Sequence, residues 1–365
     1  MAAETETSPD IRPLPPGFTD HNFKSQSGTE LGVRVWPANP PPSSPAPFVI
    51  WTHGGAFMGG HHFLPLSWLG PGFVQRGFHL VSHNYRLAPQ ARFDDELEDC
   101  LEAVAWCRSN LPSIIGSDLI DIDRYVVCGE SAGGTLVSLL GHHLNPPPKV
   151  VIDAYGVVDF LSPITRKKIF TELDSDSGKD VPPWEGEFSA AELDAFLDDR
   201  NPANLITDAL FWDEHDTMSD GFLSSYLKTE FRYSKRIRLQ AELGLWRAKY
   251  RPHRGFVRAV FHQEKFVDDD ALEKFIETFS PVHLLKGKTW YPPTAILHGT
   301  ADSAVEIEQS YVFAKKLKEM GVPTVECYEP GEDHVFDEKY TGPEVPGWDK
   351  YIQPVLDFVN EHIDK

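Results

Sequence analysis

The chain has 365 residues, of which 41% are hydrophobic, so it is long enough to bury one large core. Its formal net charge of −21 argues against nucleic-acid binding, because that function needs a basic surface. The first residues are polar and acidic, and no run of about 18 apolar residues occurs, so we expect neither a secretory signal nor a membrane span. The four cysteines suit a reducing compartment, so we expect a cytoplasmic protein. No metal-ligand spacing appears, and we expect neither a metal nor a cofactor.

The first informative element is an apolar segment over 47–52 that predicts a buried strand. It runs directly into His-Gly-Gly-Ala-Phe at 53–57. Glycines without side chains let backbone N–H groups approach a reacting carbonyl oxygen and stabilise its negative charge. We therefore assign Gly54 and Gly55 to an oxyanion hole, and the alternative for this short motif alone is a simple turn.

The second element is Gly-Glu-Ser-Ala-Gly at 129–133, between a predicted strand at 125–128 and a predicted helix at 135–143. A Gly-x-Ser-x-Gly sequence in that context is typical of a nucleophile elbow, a sharp turn that exposes a serine hydroxyl. Ser131 is the predicted nucleophile, and the amide of Ala132, the next residue, is the third oxyanion donor. An ordinary glycine-rich turn is the alternative.

A nucleophilic serine needs a histidine base and a carboxylate that orients the base. A short apolar strand at 294–297 leads into His-Gly-Thr-Ala-Asp, which ends at Asp302, and a strand at 324–328 is followed by a loop that contains His334. The order Ser, Asp, His on successive strand-end loops is the order of this kind of fold. We predict Asp302 as the orienting carboxylate and His334 as the general base.

Other titratable residues near these loops receive weaker interpretations. Asp333 and Asp337 could replace Asp302, but they sit beside the histidine itself, where reaching its distal ring nitrogen is awkward. Five other histidines are interpreted as packing residues or, for the first two, as pocket-lining alternatives: His61, His62, His142, His143 and His298.

The chain resembles the α/β-hydrolase superfamily and, within it, the hormone-sensitive-lipase-like branch of carboxylesterases. The resemblance rests on residues 53–57, on Asn-Tyr-Arg-Leu-Ala-Pro at 84–89 with the acidic helix predicted after it, and on 129–134. It implies an eight-stranded, mostly parallel sheet flanked by helices, with a cap over the active site. One departure is that Asp302 lies in His-Gly-Thr-Ala-Asp rather than in the Asp-Pro-Leu-type segment common in that branch.

The domain organisation follows from where strand–helix alternation stops. We predict a catalytic core over 21–160 and 291–365, and a large, mainly helical cap inserted at 161–290. Helices are expected at 189–199, 222–250 and 268–278 within that insertion. Residues 1–20 form an N-terminal arm that stands alone or joins the cap.

The expected function is hydrolysis of a carboxylic ester through an acyl-enzyme on a small-molecule substrate. The unusual cap motivates an alternative, a natural-product pathway enzyme that uses the same triad as a thioesterase, a lactonase, or a cyclisation or condensation catalyst. A third class is a silent small-molecule receptor, since some relatives of the resembled branch lost the histidine. The oligomeric state stays open, with a homodimer as one arrangement.

Overall fold

The computed structural model describes residues 17–63, 65–170, 190–209 and 254–365. Within these ranges eight strands form one sheet in the order β1-β2-β4-β3-β5-β6-β7-β8. The first two pairings, β1 with β2 and β2 with β4, are antiparallel, and all others are parallel. The strands are β1 Thr19–Lys24, β2 Glu30–Trp36, β3 Ala46–Thr52, β4 His79–His83, β5 Ile120–Glu130, β6 Val150–Ala154, β7 Thr294–Gly299 and β8 Thr324–Glu329.

Helices flank the sheet, and we number those within the described residues in chain order. They are α1 Leu69–Gly72, α2 Phe93–Ile115, α3 Ala132–His143, α4 Pro163–Phe170, α5 Ala190–Leu197, α6 Gly255–Ala259, α7 Asp269–Glu277, α8 Pro281–Leu284, α9 Glu308–Glu319, α10 Trp348–Tyr351 and α11 Gln353–His362. The mostly parallel eight-stranded sheet flanked by helices, which the family resemblance implied, is confirmed.

The core has two layers, one on each face of the sheet. All seven residues of β3 are buried, as expected for a central strand that is covered on both sides. Because successive side chains of a strand point to opposite faces, Phe48 and Ile50 join the cluster that packs against α2 and α3, whereas Val49 and Trp51 join the cluster beneath α11. This packing fixes the carboxyl ends of the central strands side by side.

The insertion predicted as a cap lies only partly within the described residues. Two of its three predicted helices are found, as α5 Ala190–Leu197 and α7 Asp269–Glu277, and the one expected at 222–250 lies outside the described residues. One part of the insertion contacts the core: Gly60 and Ala209 form an antiparallel bridge, with Gly60 N–H on Ala209 O at 2.5 Å and Ala209 N–H on Gly60 O at 3.0 Å. The domain boundaries themselves stay a prediction.

Candidate active site

Ser131 sits on a tight turn between β5 and α3, with φ 54° and ψ −119°. This left-handed backbone is costly for a residue with a side chain, and such strain is typical of functional turns. Position 133, two residues later, requires glycine for steric reasons, because a Cβ there would lie 2.1 Å from the carbonyl oxygen of Thr52 at the end of β3. The turn is therefore pressed against the loop that follows β3.

The side chains of Ser131, His334 and Asp302 form one hydrogen-bonded chain, although the first and second are 203 residues apart. The distance from Ser131 Oγ to His334 Nε2 is 3.0 Å, and that from His334 Nδ1 to Asp302 Oδ2 is 2.7 Å. The Asp302 side chain is fully buried, and that of His334 is 20% exposed. This geometry lets the imidazole take the serine proton while the carboxylate fixes its other nitrogen.

Asp302 is held as a carboxylate by four donors. Its Oδ1 accepts the backbone N–H groups of Ala304 at 2.9 Å and Val305 at 2.8 Å. Its Oδ2 lies 2.7 Å from His334 Nδ1 and 3.2 Å from His298 Nε2. Burial by itself raises the pKa of Asp302, but these donors outweigh it and hold the pKa well below its usual value.

Of the three expected oxyanion donors, Gly54 has another partner. Its N–H donates to Glu130 Oε1 at 2.8 Å, which corrects the expectation for this residue because the donor is already engaged. The amide of Ala132 opens α3, where the first N–H groups of a helix have no acceptor within the helix. In the described part of the chain, the Gly55 amide likewise has no acceptor, and the assignment continues with Gly55 and Ala132.

Glu130 is a site residue to which sequence reasoning assigned no role. It joins the elbow to the loop after β3, since its two oxygens accept the N–H of Gly54 and the indole N–H of Trp51. Desolvation raises the pKa of Glu130 well above its usual value, although both donors oppose this. Its position directly before Ser131 was visible in the sequence, but its partners depend on the pairing of β3 with β5.

The two alternative carboxylates are engaged elsewhere. Asp333 accepts hydrogen bonds from Ser303 and from the backbone N–H of His334, and it does not touch the imidazole. Asp337 is buried and accepts the hydroxyl of Tyr155 at 2.7 Å and the indole N–H of Trp68 at 2.8 Å. Between the three candidates, the structure therefore brings only Asp302 to the histidine side chain.

His53 stabilises its own loop. Its Nδ1–H donates to the carbonyl of Gly54 at 2.8 Å, and its ring stacks on Tyr85 at 4.3 Å between centroids. Burial lowers the pKa of His53 to about 3, so the ring is neutral.

The histidines at 61, 62 and 142 are buried or half-buried packing residues. The backbone N–H of His62 donates to Asn84 Oδ1, and the ring Nδ1 of His62 lies 3.8 Å from Asp208 Oδ1. His61 is also buried, and its Nδ1 accepts the N–H of Phe63 at 3.1 Å. His142 packs on Tyr291, and burial lowers its pKa to about 3. Burial also lowers the pKa of its half-buried neighbour, His143.

Segment 205–209 contacts both the loop that follows β3 and the loop that follows β4. Besides the bridge between Gly60 and Ala209, Leu87 N–H donates to the carbonyl of Ile206 at 2.9 Å. Asn84 Nδ2 donates to Asp208 Oδ1 at 2.5 Å. The loop that carries Gly55 is therefore supported from the predicted cap as well as from the sheet.

Over the ranges that the structure describes, no group of three or more His, Cys, Asp or Glu side chains is arranged to hold a metal ion. No helix in those ranges has both the length and the apolar character needed to cross a membrane. All four cysteines are buried free thiols.

Two family models match separate parts of the sequence. One, described as an alpha/beta hydrolase fold, matches residues 49–186, and another, the prolyl oligopeptidase family, matches residues 256–365. Among solved structures, an esterase from Rhizomucor miehei has a TM-score of 0.57 at 16% identity, covering 96% of this chain and 86% of its own. A carboxyl esterase from Tuber melanosporum has a TM-score of 0.54 at 15% identity, covering 98% and 89%. At these identities the likeness concerns the fold.

Curated relatives include two different kinds of protein. The non-reducing polyketide synthase Preu6 from Preussia isomera is 26% identical over 360 residues, which is 92% of this chain but 14% of the synthase. Esterase LipC from Mycobacterium tuberculosis is 24% identical over 309 residues, covering 84% of this chain and 57% of the relative. The chain thus spans only a small part of the synthase that it matches.

Proposed function

Because the chain is a member of the α/β-hydrolase superfamily, we propose that it is a serine hydrolase that cleaves carboxylic esters through an acyl-enzyme. The observation that carries the proposal is the chain of hydrogen bonds from Ser131 Oγ through His334 to Asp302, with distances of 3.0 and 2.7 Å. A serine, a histidine and a buried carboxylate in this order can activate a hydroxyl as a nucleophile.

In the first step, Ser131 Oγ attacks the substrate carbonyl carbon as His334 Nε2 takes the hydroxyl proton. The positive charge on the imidazole is stabilised by Asp302, which lies 2.7 Å from Nδ1. Collapse of the tetrahedral intermediate breaks the bond to the alcohol, which receives the proton from His334. An acyl group then remains on Ser131.

The negative charge on the carbonyl oxygen is stabilised by the amides of Gly55 and Ala132. Backbone N–H donors are effective because they are oriented before the charge develops. In the second step, His334 removes a proton from water, the resulting hydroxide attacks the acyl carbon, and the acid leaves as Ser131 Oγ regains its proton. The proposal needs no metal or cofactor.

Substrate selection is assigned to the cap, residues 161–290. The support for this is the backbone bridge between Gly60 and Ala209, which places part of the insertion against the loop that carries the oxyanion donors. A neutral small-molecule ester is the expected substrate class, because the protein's net charge of −21 repels anions at long range.

A second candidate is the same acyl-enzyme chemistry on a natural-product intermediate, as a thioesterase, a lactonase or a cyclisation catalyst. The observation that favours it is the similarity to a polyketide synthase over 92% of this chain. The two candidate reactions differ in the group that leaves the acyl carbon or attacks it. Both would use the same catalytic residues, Ser131, His334 and Asp302.

The decisive experiment measures hydrolysis of short p-nitrophenyl esters by the wild-type protein and by Ser131→Ala. We expect Ser131→Ala to lose turnover while keeping its circular-dichroism spectrum, and wild type but not the variant to be labelled by a fluorophosphonate probe. Ser303→Ala is a matched control, since its exposed hydroxyl contacts Asp333 and not the histidine ring. Turnover that survives in Ser131→Ala contradicts the proposal, and an unlabelled, inactive wild type favours a receptor.

The two enzymatic candidates are separated by the leaving group. Matched oxygen esters, lactones and N-acetylcysteamine thioesters of one acyl chain are compared by kcat/KM. A preference for the thioester or the lactone by more than about tenfold supports the pathway enzyme, and equal or higher values for the oxygen ester support the esterase.

A further inference from the structure

His298 lies at the end of β7 and contacts the carboxylate that orients the proposed base. Its side chain and that of Asp302 are both fully buried. Nε2 of His298 lies 3.2 Å from Asp302 Oδ2, the same oxygen that is 2.7 Å from His334 Nδ1. Two imidazoles therefore share one carboxylate oxygen.

The surroundings of His298 fix which nitrogen carries the proton. Nε2 faces two acceptors, the carbonyl oxygen of Val305 at 3.0 Å and Asp302 Oδ2, so this nitrogen is the donor. Nδ1 lies 2.7 Å from the hydroxyl of Ser310 on α9, which can donate to it. The ring is thus held in one orientation by groups from β7, from the Asp302 loop and from α9.

We propose that His298 is a positioning residue for this site, because its Nε2–H restrains Asp302 Oδ2 at the point where that oxygen receives His334 Nδ1–H. The inference rests on the proposed function, since positioning matters only if His334 acts as the base. The other oxygen, Oδ1, is tied by the backbone amides of Ala304 and Val305. With both oxygens restrained, the carboxylate cannot rotate away from the imidazole of His334.

If His298 only packed the turn, its removal would affect stability and not the rate of the reaction. His298 also holds the turn 302–305 through the carbonyl of Val305, so its removal can lower the free energy of unfolding without any effect on chemistry. The distinguishing quantity is the hydrogen bond between His334 and Asp302, which a packing defect elsewhere in the turn leaves unchanged. A support of this kind acts on kcat more than on KM, because it orients the base and does not bind the substrate.

The test compares His298→Asn with His298→Gln. The amide of Asn ends near the position of Nδ1, so it can still pair with Ser310 but cannot reach Asp302, whereas the Gln amide reaches the position of Nε2. We expect His298→Asn to lower kcat about tenfold with KM within about twofold of wild type, and His298→Gln to recover most of the loss. The low-field proton resonance of His334 Nδ1–H, measured in the phosphonylated protein, should shift in the Asn variant and stay in place in the Gln variant.

A wild-type kcat and an unmoved resonance in His298→Asn overturn the inference, as does a loss that His298→Gln does not reduce. If His298→Asn does not fold, Ser310→Ala replaces it, because this change frees Nδ1 and leaves the turn 302–305 intact. For Ser310→Ala we expect a smaller fall in kcat than in His298→Asn and a shift of the His334 resonance in the same direction. If kcat and the resonance both stay as in wild type, the inference is overturned. Loss of turnover in Ser131→Ala, measured in parallel, keeps the outcome separate from the proposed function.

Discussion

Glu130 Oε1 accepts the backbone N–H of Gly54 at 2.8 Å, and this single contact joins the two glycine-rich motifs of the chain. The elbow serine follows Glu130 directly, and the proposed oxyanion donor Gly55 follows Gly54 directly. The Glu130 carboxylate therefore helps to set the spacing between the nucleophile and the proposed oxyanion donor, together with the pairing of β3 with β5. Trp51, which donates to the other oxygen, fixes the rotation of that carboxylate.

Replacing Glu130 by alanine should lower kcat about tenfold, because a loop released from the elbow misplaces the amide of Gly55. Esterase kinetics with a p-nitrophenyl ester measure the effect, and KM should change little. Glu130→Gln keeps an oxygen for Gly54 and should retain more activity than Glu130→Ala. Equal activity in wild type and Glu130→Ala would show that the loop is positioned without this contact.

Replacing Asp302 by asparagine should lower kcat by a factor on the order of 10³ to 10⁴, because His334 then loses the acceptor that fixes its tautomer. The matched control is Asp333→Asn, next to the histidine in sequence but bonded to Ser303 and to backbone. The control should stay within about tenfold of wild type. Similar losses of kcat in the two variants would contradict the assignment of Asp302 as the orienting carboxylate.

Asp153 gives a prediction for stability against pH. Burial raises its pKa to about 6 from 3.8, despite hydrogen bonds from Ser138 and from the amide of Gly156. The folded protein then binds this proton more tightly than the unfolded chain, so its contribution to stability is present below about pH 4 and is lost as pH rises through about 6.

Asp153→Asn cannot lose that proton and should raise the free energy of unfolding at pH 8 relative to wild type, by up to about 3 kcal/mol. Urea unfolding at pH 4 and pH 8 measures the difference, which should be smaller at the lower pH. A variant that is less stable than wild type at both pH values by the same amount would contradict the titration.

Gly133→Ala tests the close approach of the elbow to β3. The new Cβ would lie 2.1 Å from the Thr52 carbonyl and 2.7 Å from that of His53, so one of the two segments must move. We expect the free energy of unfolding to fall by about 3 kcal/mol or the protein to be insoluble. Gly331→Ala is the control: its added Cβ meets no atom within 4 Å, and only its φ of +80° costs about 1 kcal/mol. Thermal unfolding of both variants gives the comparison.

The residues alone predicted the strands β3, β5, β7 and β8, and each proposed catalytic residue follows one of them; the complete sheet was expected from the family resemblance. The ends of elements were less predictable. The acidic helix expected after residues 84–89 is α2, which runs from Phe93 through Pro112 to Ile115 and ends before Gly116. A proline near the end of a helix lacks the N–H that would bond to the preceding turn, but the helix can continue past it. The position of Pro112 therefore does not show where the helix ends.

The supporting contacts could not be predicted, for a physical reason. The bond between Glu130 and Gly54 depends on the register that sets Thr52 opposite Gly129, and local sequence does not encode the register of two distant strands. The role of His298 depends on the hydroxyl of Ser310 on another element. Ala209 pairs with Gly60 as an isolated bridge, without the alternating pattern that would predict a strand.

The isolated bridge between Gly60 and Ala209 couples the shape of the insertion, which is proposed to select the substrate, to the position of the Gly55 amide, which is proposed to stabilise the reacting carbonyl. Residues 206–209 form hydrogen bonds with Gly60, on the loop that carries Gly55, and with Asn84 and Leu87, on the loop after β4. A substitution that reshapes the insertion to admit a new substrate therefore shifts the amide that stabilises its reacting carbonyl. Variants selected for a broader substrate range should therefore have a lower kcat for every acyl group. Restoring kcat should require compensating changes in residues 53–62 rather than in the insertion.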